Sequence, residues 1–207
     1  MNSLDHLLEK IKALSPNSQK QLSTFVNYLR WQEQQATARQ HGAIWTFDFI
    51  EHFAAAEKQP RYNEQGAEIK IGPALAEGQE RPAIYAHPPV QGRSIIEYYV
   101  PVPSGIDHLT LKLAIGIRDG SKLGGSNLVA FSVQMNGYRV WGTQTNAHRW
   151  QAYEIPLAPQ AGDINQITFA TEALGNHQWT WAAWGSPVLV GKIVEETNKE
   201  RANDDSI

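Results

Sequence analysis

The chain has 207 residues, of which 42% are hydrophobic and 19% charged, so it has enough apolar side chains for a globular core. The formal net charge is −3 and no run is rich in Lys and Arg, which argues against nucleic-acid binding. The absence of cysteine excludes disulfides, thiolate metal sites and cysteine nucleophiles. No run approaches the roughly 18 apolar residues that span a bilayer, and no secretory signal is visible, so we expect a cytoplasmic protein without membrane insertion.

Residues 1–40 carry the periodicity of two short amphipathic helices, which predicts a helical hairpin. Ser15 followed by Pro16 is typical of a helix start, with a capping hydroxyl before proline at the first helical position. The apolar positions at helical spacing are Leu4, Leu7, Leu8, Ile11 and Leu14, then Leu22, Phe25, Val26 and Leu29. Two such helices cannot hide their apolar stripes alone, so we expect packing or homo-oligomerisation through residues 1–40.

The same segment resembles the small helical region at the start of some antitoxin-like bacterial proteins of unknown function. The resemblance is carried by a Leu-Leu-Glu-Lys element, the Ser-Pro pair and a Phe-Val-x-x-Leu element. It implies a regulatory protein with a toxin partner. The alternative is a hairpin for packing or dimerisation.

From Ile44 onward the sequence changes to the alternation of apolar and polar residues that is typical of half-buried strands. Alternation is clearest at Leu109, Leu111, Leu113, Ile115 and Ile117, and at Val129, Phe131, Val133 and Met135. Asn136-Gly137 follows directly and predicts a type I′ hairpin turn, because both residues tolerate a positive φ.

Other strand-like runs are punctuated by proline and glycine. They are Glu68–Ile71, Ala83–Tyr85, Ile95–Val102, Tyr153–Leu157, Gln166–Thr171 and Trp179–Val190. Eight or nine short strands with almost no helix between them predict a mainly β fold, an antiparallel sandwich or jelly roll over residues 44–191. Trp45–Phe53 fits either an opening strand or a helical turn, and the charged tail, residues 192–207, is predicted to be disordered.

Three phrases go beyond generic β-structure: Arg81–Pro89 with its His-Pro-Pro corner, Ile115–Ser121 with Arg-Asp-Gly, and the Trp-rich ending Trp179–Pro187. Their order and spacing resemble the galactose-binding-like jelly-roll modules, close to the carbohydrate-binding NPCBM type. The resemblance covers about residues 44–191. It implies a jelly-roll fold and a ligand, which is a sugar for many members and protein or lipid for others.

The candidate ligand-binding residues are Trp179, Asn176, His177, Arg118 and His87. Tryptophan rings stack on the flat C–H faces of sugars, and neighbouring polar groups fix the orientation of a bound sugar. In a regular strand Trp179 and Trp181 would share a face, and the preceding Leu174–Gln178 loop supplies polar groups. The alternative is structural, with most tryptophans in the core.

Two of the candidate loops have structural alternatives. His87 could satisfy the backbone of its corner. Asp119, next to Arg118, could form an ion pair with it, turn the chain, or contribute to a calcium site.

Catalytic patterns are absent from the sequence. The seven histidines show no metal-ligand spacing, no phosphate-binding loop is complete, and no two carboxylates stand out as a glycosidase pair. We therefore predict a non-catalytic binding module with no cofactor and no metal, whose partner is a carbohydrate. The alternative is an interaction protein that docks to a protein partner through the sandwich and oligomerises through the hairpin.

Overall fold

The computed structural model describes residues 3–15, 18–19, 22, 26, 44–60, 68–125, 127–159 and 163–193. The chain divides into two compact units, residues 1–41 and 42–207. Among the described helical residues, no helix has the length and apolar character that crossing a bilayer requires.

The first unit contains helix α1, Ser3–Lys12, and a capped turn after it. The Ser15 hydroxyl accepts a hydrogen bond from the Ser18 amide at 3.2 Å, as expected of the predicted N-cap. The Gln19 side chain donates to carbonyls at the end of α1, including that of Ile11 at 3.3 Å. The second predicted helix lies mostly outside the described residues, so the hairpin stays a prediction.

The described residues of the second unit form eleven strands and a 3₁₀ turn, Phe53–Ala55. The strands are β1 Ile44–Asp48, β2 Glu57–Gln59, β3 Glu68–Ala76, β4 Gln79–His87, β5 Arg93–Pro101, β6 Ile106–Ile117, β7 Leu128–Met135, β8 Tyr138–Thr145, β9 Gln151–Leu157, β10 Ile164–Leu174 and β11 Ala182–Ile193.

These strands form two antiparallel sheets. One sheet has the order β3-β4-β11-β6-β9, with β1 pairing along the second half of β11, and the other has the order β2-β5-β10-β7-β8. From β4 to β11 successive strands lie in opposite sheets except for the β7–β8 hairpin, which is the strand order of a jelly roll and confirms the predicted antiparallel β-sandwich. The end of β4 and the loops β6–β7 and β10–β11 come together, and they carry the candidate residues.

The core lies between the sheets and is rich in aromatic rings. Trp184 on β11 is fully buried, and its ring lies 5.1 Å from both the Phe131 and Phe169 rings. Tyr98 is buried beside them, and its hydroxyl donates to the Phe49 carbonyl at 2.9 Å. Burial raises the pKa of Tyr98 far above its ordinary value, so the phenol stays protonated.

The clearest sequence patterns are confirmed. The alternating apolar residues of β6 and β7 all face the core. Asn136 and Gly137 have φ values of 51° and 81°, as a type I′ turn requires. Asn136 also accepts a hydrogen bond from the Gln166 amide at 2.8 Å, which ties the turn to β10.

Three details differ from the sequence-based expectations. Both interpretations of Trp45–Phe53 hold in part, since strand β1 ends at Asp48 and the 3₁₀ turn begins at Phe53. Strand β2 was missed because its Glu-Lys-Gln sequence has no apolar alternation. The predicted strand from Trp179 is wrong at its start, because β11 begins only at Ala182 and Trp179 has a φ of 65°.

Candidate functional site

An open cavity of about 440 Å³ lies where the end of β4 meets the loop between β10 and β11. Its lining residues are His87, His177, Gln178, Trp179 and Trp181. The structure thus brings together three of the predicted ligand-binding residues, His87, His177 and Trp179. The sequence analysis placed Gln178 and Trp181 in the same segment but did not select them.

Two tryptophans form an aromatic surface in this cavity, which we call the Trp179–Trp181 platform. Their ring centroids are 5.4 Å apart with the planes tilted by 46°. Trp179 is 38% exposed, whereas Trp45 and Trp184 are buried. The positive φ of Trp179 is a left-handed conformation that costs a non-glycine residue about 1–2 kcal/mol. Such strain persists only where the surroundings enforce it, and it clusters at functional sites.

Hydrogen bonds within the β10–β11 loop set the conformation of the platform. The Asn176 side chain accepts a hydrogen bond from the Gln178 amide at 2.9 Å. The Thr180 amide donates to the His177 carbonyl at 3.3 Å, and the Thr180 hydroxyl donates to the same oxygen. Asn176 therefore shapes the loop through a local turn, and its side chain does not line the cavity.

The loop between β6 and β7 supports Trp179 from the side. The Ser121 hydroxyl donates to the Trp179 carbonyl, and the Lys122 ammonium lies 5.1 Å from the centre of the Trp179 ring. Gly120, with a φ of 85°, lies so close that a Cβ there would be 3.3 Å from the Trp181 ring. A glycine at this position allows both the turn and the close approach.

Arg118 lies behind the platform. Its guanidinium is 3.8 Å from the centre of the Tyr85 ring and 5.3 Å from that of Trp181, and one nitrogen is 3.3 Å from Glu68. The side chain is only 16% exposed, so it holds Trp181 in place through cation–π contacts and does not line the cavity.

Asp119 is fully engaged in a backbone turn. Its two carboxylate oxygens accept hydrogen bonds from the amides of Glu77 and Gly78, each at 2.9 Å, and its own amide donates to Leu75 at 2.8 Å. It therefore closes the β3–β4 hairpin. The expected alternative of an Arg118–Asp119 ion pair is wrong, since Arg118 pairs with Glu68 on β3.

His87 ends β4 inside the cavity, and other groups hold its backbone. The carbonyls of Ala86 and His87 accept hydrogen bonds from the hydroxyls of Thr171 and Ser94, so the imidazole is not needed for the corner. Its Nδ1 is buried without a partner in the part of the chain that the structure describes. Burial lowers the pKa of His87. A hydrogen bond with the Thr180 backbone and the charge of Glu68 raise the pKa in part, but burial outweighs them, so the ring is neutral at pH 7.

Glu68 is the acidic residue paired with His87 across β3 and β4, and its charge acts on the imidazole. Burial raises the pKa of Glu68, but a hydrogen bond from Lys70 and the charges of Arg118 and Lys70 outweigh it, and the pKa falls below its ordinary value. Glu68 is therefore ionised at neutral pH and already bound to two cations.

The cavity thus offers aromatic surface and hydrogen-bonding groups. Within the described ranges no three His, Asp or Glu residues converge as a metal site would require. Among the five described lining residues there is no carboxylate, the group that supplies the acid and base of a glycosidase. In this geometry a flat face of a ligand can stack on a tryptophan ring, and the polar side chains can donate hydrogen bonds to the ligand.

No protein family and no curated protein matches the chain. Among solved structures the chain is similar to the CBM51 module of a Clostridium perfringens GH95 protein in complex with methyl-galactose. The identity is 13%, the match covers 70% of this chain and 99% of that one, and the TM-score is 0.48. It is also similar to the CBM22-1 xylan-binding domain of Paenibacillus barcinonensis Xyn10C, with 10% identity, 74% and 97% coverage and a TM-score of 0.48.

A third similar structure is that of the CBM51-2 and INT domains of Clostridium perfringens ZmpB, in complex with GlcNAc. Here the identity is 14% and the TM-score 0.45, and the match covers 68% of this chain but only 30% of that one. These comparisons give no support to the antitoxin-like resemblance of residues 1–40.

Proposed function

We propose that the chain is a non-catalytic module that binds carbohydrate in the cavity beside Trp179. The observation that carries the proposal is the Trp179–Trp181 platform, a partly exposed aromatic surface held in a strained loop and surrounded by polar side chains.

The chemistry of the platform suits a sugar ring. The axial C–H groups of a pyranose form an apolar face that packs on an indole, and large rings contribute much contact area at little entropic cost. A sandwich core would bury such rings, as it does Trp184. The Trp179 ring, by contrast, is 38% exposed, so a ligand can reach it.

Hydrogen-bonding side chains line the same cavity as the platform. His87, His177 and Gln178 all line the same cavity, and imidazole and amide groups both donate to and accept from hydroxyls. A site of this kind combines apolar contact with a few polar groups that fix the orientation of the ligand.

The site is also preorganised. Trp179 is held by Ser121 and by the turn that follows His177, and Trp181 is held against Arg118 and Gly120. Groups that are already fixed in the free protein lose little conformational entropy on binding, which supports a role in recognition.

The test is isothermal titration calorimetry of the full chain with a panel of mono- and oligosaccharides, neutral and acidic. We expect at least one sugar to bind, and Trp179→Ala to weaken its binding by roughly tenfold or more, the loss of about 1.4 kcal/mol. Tyr138→Ala is the matched control, because Tyr138 is 79% exposed and does not line the cavity. A panel that shows no binding, or equal losses in both variants, would contradict the proposal.

A cytoplasmic location, self-association through residues 1–40 and docking to a protein partner stay predictions of the sequence analysis.

A further inference from the structure

The charged group that lies against the Trp179 ring is a cation, Lys122. None of the five lining residues carries a carboxylate, whereas two of them are histidines. Lys122 is not one of the five lining residues, but its ammonium lies over the Trp179 ring, 5.1 Å from the ring centre, and its side chain is solvent exposed. No acidic side chain lies within ion-pair distance of Lys122 in the described part of the chain.

Two carboxylates near the platform, those of Glu68 and Asp119, are already bound to other groups of the protein. Glu68 is bound by Lys70 at 2.6 Å and by Arg118 at 3.3 Å. Asp119 directs both of its oxygens to the amides of the β3–β4 turn. Both carboxylates are therefore already bound to donors of the protein, whereas Lys122, among the described residues, lies beside the platform without an acidic partner.

Donor groups without acidic partners suit an anion better than a neutral hydroxyl. A hydrogen bond between a charged donor and a carboxylate is about twice as strong as a neutral one. A neutral sugar that replaces water around the Lys122 ammonium gains no such compensation, because its hydroxyls are weaker acceptors.

We propose that the ligand is an acidic sugar, such as a uronic acid unit, whose ring stacks on Trp179 and whose carboxylate is bound by Lys122 and His177. The inference rests on the carbohydrate-binding function proposed above. It adds the ligand's charge and assigns Lys122, which the sequence analysis did not consider, as the residue that determines specificity.

The experiment compares methyl uronides with their methyl esters, which keep the ring and remove the charge. Calorimetry of the full chain uses methyl glucuronide and methyl galacturonide, each against its ester and its parent neutral glycoside. We expect each acid that binds to do so at least tenfold more tightly than its ester in low salt. The preference should shrink in 0.5 M NaCl, because the ammonium is exposed to screening.

Lys122→Gln should reduce the ratio of acid to ester affinity to within about threefold, and Lys122→Arg should restore most of it. This ratio is the diagnostic quantity, because losing the cation–π contact with Trp179 would weaken both ligands equally. Lys112→Gln is the matched control, since Lys112 is an exposed lysine that pairs with Glu154 on β9 and, unlike Lys122, does not contact the Trp179 ring.

The outcomes separate the two proposals. Acid and ester binding equally, or only neutral sugars binding, would overturn the charge assignment and leave the carbohydrate-binding function intact. A preference for acids that Lys122→Gln leaves unchanged would overturn the role of Lys122. If no sugar of any kind binds, both proposals are wrong.

Discussion

Trp184 and Trp179 are five residues apart in the sequence and occupy opposite environments. Trp184 is fully buried on β11, with edge-to-face contacts to Phe131 and Phe169. Trp179 is 38% exposed, lies in the preceding loop and has a left-handed backbone. The comparison shows that one residue type serves two purposes here, since the first ring stabilises the fold and the second lies where a ligand can reach it.

The two environments also differ in what maintains them. Trp184 lies on a regular strand, and the sandwich core surrounds its ring. Trp179 depends on neighbours from distant parts of the chain, because Ser121 bonds its carbonyl and Lys122 covers part of its ring. Substitutions that separate stability from binding should therefore act differently at the two positions.

The largest effect is expected from Trp184→Ala. Removing a fully buried indole leaves a cavity between Phe131 and Phe169, and such changes cost about 3–5 kcal/mol. Chemical denaturation should show this loss in the free energy of unfolding, and Trp184→Phe should lose less. A loss below about 1 kcal/mol would show that Trp184 is not central to the core.

A smaller loss is expected from Asp119→Ala, which frees the amides of Glu77 and Gly78. Hydrogen bonds to a charged acceptor are worth about 1.5–3 kcal/mol each when buried, and exposure reduces this, so we expect about 1–3 kcal/mol in total. Asp119→Asn keeps one acceptor and should lose about half as much. If Asp119→Ala proved as stable as the wild type, the carboxylate would not be closing the β3–β4 hairpin.

Trp179→Gly should make the folded chain more stable than Trp179→Ala does, by about 0.5–1 kcal/mol. Glycine adopts the positive φ at this position without steric cost, although its greater freedom in the unfolded chain offsets part of the gain. Thermal denaturation of the two variants measures the difference. Equal stability would mean that the loop relaxes away from the left-handed conformation once the indole is removed.

The smallest effect is a pH dependence that comes from His87. Its pKa is lowered from 6.5 in the folded chain, so below pH 6.5 the unfolded chain binds more protons and the free energy of unfolding falls as the pH falls. Above pH 6.5 this contribution is fully present. Between pH 7.5 and 5.5 the wild type should lose more stability than His87→Asn, and equal losses would contradict the assignment.

Much of the sandwich could be predicted from sequence because its determinants are local. Alternation of apolar residues gave the positions of β6 and β7, and the two residues Asn136 and Gly137 encode their own turn. Strand β2 was not predicted because its three residues carry no such pattern, and it is a strand only through pairing with β5.

The candidate site was harder to predict because its determinants are distant in sequence. The aromatic and polar types near Trp179 indicated a binding loop, and the cavity contains three of the five selected residues. The position of Arg118 depends on Glu68, fifty residues away, and on two aromatic rings. Nothing within the Arg-Asp-Gly phrase indicates either that ion pair or the support of Trp181.

The most direct test of the central claim follows the indole N–H signals of all seven tryptophans by ¹⁵N NMR during titration with a binding sugar. The account predicts saturable shifts for Trp179 and Trp181 and unchanged signals for the buried Trp45 and Trp184. Shifts confined to other tryptophans, with Trp179 and Trp181 unchanged, would place the sugar elsewhere and contradict the account.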